Sequence, residues 1–224
     1  MLQMSTSHVW RRSGWDSLDI IYFTWHTTGG VFFMQLFSKD AFAFREQLQN
    51  LKKVQSICLC GLFVAAYVAL SFFSIKMTEF LEFRFAFLAL AAAAAYGGPV
   101  MGMAAGLTGD VISFFAAPQT GPFFPGFTIS YALLGFLFGM ILYRSRITPL
   151  RAFAAGLAEF IIACTLNTLW LHFMYGMEWE YLFTIRLIKN VVSLGVNTVL
   201  LFVFMKAFSR IILTVSPTLK ASRQ

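Results

Sequence analysis

The sequence predicts an all-α integral membrane protein, a bundle of six transmembrane helices with both termini in the cytoplasm. Composition carries part of this: 58% of residues are hydrophobic, 12% are charged and 27 of the 224 are Phe, far from soluble globular domains. The arrangement of the apolar residues carries the rest. They gather into six stretches, roughly 54–74, 82–97, 100–117, 127–143, 152–173 and 184–209, close to the ~17–25 residues that a bilayer crossing needs. The second is short, but Glu82 and Arg84 at its end can sit at the interface if the helix tilts.

The chain opens with an extension, residues 1–50, that holds three of the five Trp and only a short apolar run at 31–37. That run cannot span. Residues 1–33 are either leader sequence ahead of a start at Met34, or an ordinary extension. From 38 to 53, Phe42, Phe44, Leu48 and Leu51 follow the pattern of an amphipathic helix on the cytoplasmic membrane surface. The membrane domain runs from 54 to 213, and residues 214–224 form a cytoplasmic tail.

Charge sets the orientation, because short cytoplasmic loops collect Lys and Arg. Arg45, Lys52 and Lys53 precede the first span, Arg144, Arg146 and Arg151 lie between the fourth and fifth, and Lys206, Arg210, Lys220 and Arg223 close the chain. The loop at 117–127 has no charge, and the loop at 173–183 has Glu178 and Glu180 without a basic residue. Those loops face outside. Net charge +7 is thus explained by basic loops beside anionic lipid, and nucleic acid is not an expected partner. Cys58, Cys60 and Cys164 fall within spans; Cys58 and Cys60 project about 200° apart on a helix, which suits neither a disulfide nor a metal.

This topology puts Arg84, Arg186 and Lys189 at outward-facing helix ends, against the usual bias. An outer basic cluster is a candidate site for an anionic solute. The loop 118–127 holds three prolines and two glycines among aromatics, which forbids regular helix and suits a preshaped lid. In the sixth span Arg186, Asn190, Ser193 and Asn197 recur every three or four residues and form one polar stripe toward the bundle interior. The stripe either lines a cavity or bonds neighbouring helices. Asp110 in the third span has Arg84 as its expected partner, and Gly102, Gly106 and Gly109 share a face suited to close helix packing. In the fifth span Trp170 lies three residues from Asn167, where it can stack on a planar ligand or anchor at the interface.

Several motifs carry a family likeness. Ala65-x-x-x-Ala69, Tyr96-Gly-Gly-Pro-Val-Met-Gly102 and Gly109-Asp110 resemble the substrate-capture (S) components of energy-coupling factor (ECF) vitamin transporters. Phe124-Pro-Gly-Phe-Thr-Ile-Ser130, Asn167-Thr-Leu-Trp170 and Arg186-Leu-Ile-Lys-Asn190 resemble the folate-binding members most. The likeness covers about residues 53–209. It implies a capture subunit in a bacterial cell membrane, working with a transmembrane coupling subunit and two cytoplasmic ATPases. It also implies that Ala65 and Ala69 face the coupling subunit. The chain carries no Gly-x-x-x-x-Gly-Lys-Ser/Thr loop of its own. Folate fits the residues. Phe124, Phe127, Trp170, Asn167 and Asn190 would meet its rings, and Arg186, Lys189 and Arg84 its carboxylates. No cofactor or metal is expected. Another anionic vitamin would suit the same charges, and a structural protein of the cell-shape apparatus is the alternative of another class. The scattered His8, His26 and His172, and the separation of Asp110 from Glu159, argue against an intramembrane enzyme.

Overall fold

Long apolar stretches with few helix breakers become long helices, and the breakers that do occur mark where the chain bends. A computed structural model describes residues 39–78, 81–116, 122–176 and 178–215. The expected extension 1–33, part of the aromatic lid at 118–121 and the tail from 216 onward lie outside the described residues. A short 3-10 turn, Lys39–Phe42, leads into α1 (Phe44–Leu51) and α2 (Val54–Ser71). Then come β1 (Ile75–Thr78), β2 (Leu81–Phe83), α3 (Phe87–Ala116), α4 (Pro125–Leu142), α5 (Pro149–Cys164), α6 (Leu166–Tyr175) and α7 (Trp179–Val215).

Among the described residues, five helical stretches are long and apolar enough to cross a membrane: 54–71, 87–116, 125–142, 149–175 and 186–210. The protein is a multi-pass membrane protein. The helical bundle carries one short hairpin between the first two spans, where β1 and β2 pair antiparallel, with Ile75 opposite Phe83 and Lys76 opposite Glu82. The β-branched Ile75 and Thr78 favour this extended pairing, and the second span consequently begins at Phe87 rather than at 82.

The expected second and third spans are the two halves of α3, which meet at a kink at Gly98. There the backbone takes φ 86°, ψ −175°, a region that glycine alone occupies readily. Gln47 of α1 fits against the break: its amide NH2 donates to the Ala41 carbonyl at 3.0 Å, and its carbonyl oxygen accepts from the Val100 N–H at 3.4 Å. A side chain thereby serves a backbone N–H that the break leaves without a helical partner. A Cβ on residue 98 would also meet the Gln47 carboxamide at 2.8 Å. Gly98→Ala is therefore expected to cost ~1–3 kcal/mol and to lower the melting temperature of the detergent-purified chain. An unchanged melting temperature would show that the break relaxes without penalty.

The core lies between α3 and α4. Leu90, Met101, Phe138 and Leu142 are almost fully buried there. Gly102 and Gly135 face each other so closely that a Cβ on either would strike the other's carbonyl oxygen, and this brings the two backbones into direct contact. Gly106 meets the backbone at Tyr131, and Gly109 meets the Tyr67 ring of α2. The glycine face is thus used for packing, as its spacing indicates. α2 and α7 instead leave most of their surface exposed, consistent with apolar faces turned to lipid. The expected fifth span divides into α5 and α6 at Thr165. α1 and the turn before it pack on the C-terminal part of α4, with Phe44 stacked on Phe136 at 5.9 Å and Ala41 against Met140 and Tyr143.

Candidate functional site

Five helices turn their polar positions toward one another and enclose a cavity of about 530 Å³, within the range of small-molecule sites. α7 supplies Arg186, Lys189, Asn190, Ser193 and Asn197. This is the polar stripe of the sixth span, and the lining position of its members answers which way it faces. α5 and α6 add Gly156, Glu159, Phe160, Ala163 and Asn167; α4 adds Phe127, Ser130, Tyr131 and Leu134, again at helical spacing; and α3 adds Phe87, Asp110 and Phe114. Pro122, Phe123 and Phe124 close one side. Aromatic walls with a few polar groups suit a flat, partly charged organic molecule.

The polar groups fall into two kinds. Some are satisfied within the protein. Arg84 lies 3.7 Å from Asp110, donates to the Tyr131 hydroxyl at 3.2 Å and sits over the Tyr131 ring at 5.5 Å. The Thr128 hydroxyl donates to the other Asp110 oxygen at 2.7 Å. Asp110 is therefore held from α4 and from the segment after β2, and the pair expected from charge alone is formed. Asn190 donates to the Cys164 sulfur at 3.2 Å, and Asn197 donates to Glu159 at 3.0 Å.

Others are buried and unsatisfied. Arg186 is only 7% exposed, yet its Nε has no hydrogen-bond partner among the described residues, and the same holds for Asn167 Oδ1 and Ser193 Oγ. All three residues line the cavity. Such orphans are uncommon because each costs about 1–3 kcal/mol. A cationic donor, a carbonyl acceptor and a hydroxyl together make a site prepared for a polar ligand.

Of the residues expected at the site, Arg84, Phe124, Phe127, Asn167, Arg186, Lys189 and Asn190 all line this one cavity. Trp170 does not. Its ring packs on Phe124 at 5.7 Å and its indole N–H donates to Ser130 Oγ at 2.9 Å, so it braces the wall from behind. Ala65 and Ala69 are exposed on α2, and that helix contributes nothing to the lining. Sequence reasoning did not place Glu159, Ser130 or Tyr131 at the site. Glu159 was detectable as an ionisable residue inside a span, and Ser130 and Tyr131 as the next turn beyond Phe127.

The model for the S component of the ECF-type riboflavin transporter matches residues 51–210. The chain belongs to this family. Members are transporter S components rather than enzymes. Two relatives of this S component are informative. The folate transporter FolT of Clostridium novyi (strain NT) is 25% identical over 162 residues, covering 72% of this chain and 94% of the relative. The crystal structure of FolT bound with folic acid superposes with a TM-score of 0.62 at 30% identity, covering 67% of this chain and 92% of that one.

Proposed function

We propose that this S component captures folate from outside a bacterial cell and hands it to partner subunits for ATP-driven uptake. The observation that carries the reading is the unsatisfied Arg186 Nε, buried in an aromatic-walled cavity. A carboxylate is the natural partner of a buried guanidinium. Folate brings two carboxylates on its glutamate tail and flat rings for the aromatic walls. Both relatives described above carry folate in their names. Riboflavin is the second reading, because the matching family model bears its name. Being uncharged, it leaves Arg186 without an anion.

In this reading Arg186 and Lys189 hold the glutamate tail, and Asn167 and Asn190 meet the ring system beside Phe124 and Phe127. Arg84 shapes the entrance through Asp110 and Tyr131. Six spans cross the membrane, the two halves of α3 counting separately, with both termini cytoplasmic and α1 on the inner surface. Ala65 and Ala69 face a transmembrane coupling subunit that carries two ATPases.

Titration of the purified chain with folic acid is expected to saturate at one ligand per chain and to quench tryptophan emission, since Trp170 touches the cavity wall at Phe124. Riboflavin in excess is expected not to compete. Saturable riboflavin binding without folate binding would replace the ligand while keeping the family.

A further inference from the structure

Glu159 is an acid inside a cavity whose proposed ligand is an anion. It belongs to α5, lines the cavity, and has its Oε1 fixed by the Asn197 carboxamide at 3.0 Å. Asn197 lies eleven residues beyond Arg186 on the unbroken helix α7, which is about 16 Å along the axis. The cavity therefore has a cationic end at Arg186 and an acidic end at Glu159.

A carboxylate is acceptor-only. With two oxygens offering about four lone-pair positions, Glu159 keeps accepting capacity after the Asn197 bond. What it needs from a ligand is N–H donors, and two parallel ones suit it best, as in the fork of an arginine. A 2-amino-4-oxopyrimidine edge presents that pair, the ring N3–H and the exocyclic amine. The imide edge of a flavin presents one N–H between two carbonyl oxygens, and those oxygens would be driven against the carboxylate.

We infer that Glu159, oriented by Asn197, is the residue that recognises the aminopyrimidinone edge of the ligand ring, and that it selects such rings over imide-edged ones. This rests on the folate reading above and deepens it. The ligand then lies lengthwise, its ring at Glu159 and its acidic tail at Arg186. Asn197 is a positioning residue, because it acts through Glu159.

The test measures dissociation constants of the wild-type chain and of Glu159→Gln for three ligands: folic acid, its 2-deamino-2-methyl analogue, and p-aminobenzoylglutamate, which lacks the ring. A charge-assisted hydrogen bond corresponds to about a tenfold change or more. The wild type is expected to bind the 2-methyl analogue about tenfold or more weakly than folic acid. Glu159→Gln is expected to weaken folic acid by a similar factor, to lose the discrimination between the two pterins, and to leave p-aminobenzoylglutamate little affected. A wild type that binds both pterins equally overturns the inference, and this arm holds even where the variant fails to fold. So does a variant that binds folic acid as the wild type does, or one that loses p-aminobenzoylglutamate to the same degree, which would make Glu159 structural. A wild type that binds no folic acid overturns the folate reading itself, and the inference with it.

Discussion

Tryptophan in place of Ala65 or Ala69 is expected to abolish uptake in cells while the purified chain still binds its ligand. Both alanines are exposed on α2, and Gly61, one turn earlier on the same helix, has nothing within 4 Å of where a Cβ would stand. This leaves a strip of bare helix surface. In lipid, helices associate chiefly through close packing, and small residues permit it. An indole on this strip would hold a partner helix away by the width of its ring. No residue of α2 lines the cavity, so binding is expected to survive. The check compares whole-cell uptake with binding by the isolated chain. Parallel loss of both, or loss of neither, would move the coupling surface elsewhere.

Arg186→Ala is expected to weaken binding of a dicarboxylate ligand by about 1.5–3 kcal/mol, and to weaken an analogue without the glutamate tail much less. The guanidinium is nearly sequestered from solvent, so little of its interaction is screened away. Lys189→Ala is expected to follow the same pattern with a smaller loss, because an ammonium is a flexible point charge rather than a preorganised fork. Calorimetry with both ligands separates the explanations. Equal losses for the two would show that Arg186 holds the fold together.

Features governed by local periodicity were legible in the sequence. The α7 stripe followed from 3.6-residue spacing alone, and Arg186, Asn190, Ser193 and Asn197 do turn to one cavity. The pairing of Arg84 with Asp110 followed from the cost of leaving either charge alone in a membrane. Features set by which helix meets which were not. Glu159 stands out as an acid within a span, but its bond from Asn197 shows only once α7 packs against α5, and the turn of Trp170 toward Ser130 shows only once α6 meets α4. The β-hairpin was hidden by its size, since strands of four and three residues carry too little alternation to stand out between apolar helices.

The Gln47 contact has a consequence for how the protein is made. α1 is eight residues long, short of the ~12–15 at which an isolated helix becomes even marginally stable in water. Its anchors are distant in sequence: Gln47 meets Val100, 53 positions later, and Phe44 meets Phe136. A ribosome adding about 5–20 residues per second delivers Val100 only after several seconds, and Phe136 later still. α1 is translated before every membrane span, yet it cannot dock until α3 has been inserted and bent and α4 has followed. Until then its apolar side chains have the membrane surface as cover, and α1 must wait for α4 before it has a place in the fold.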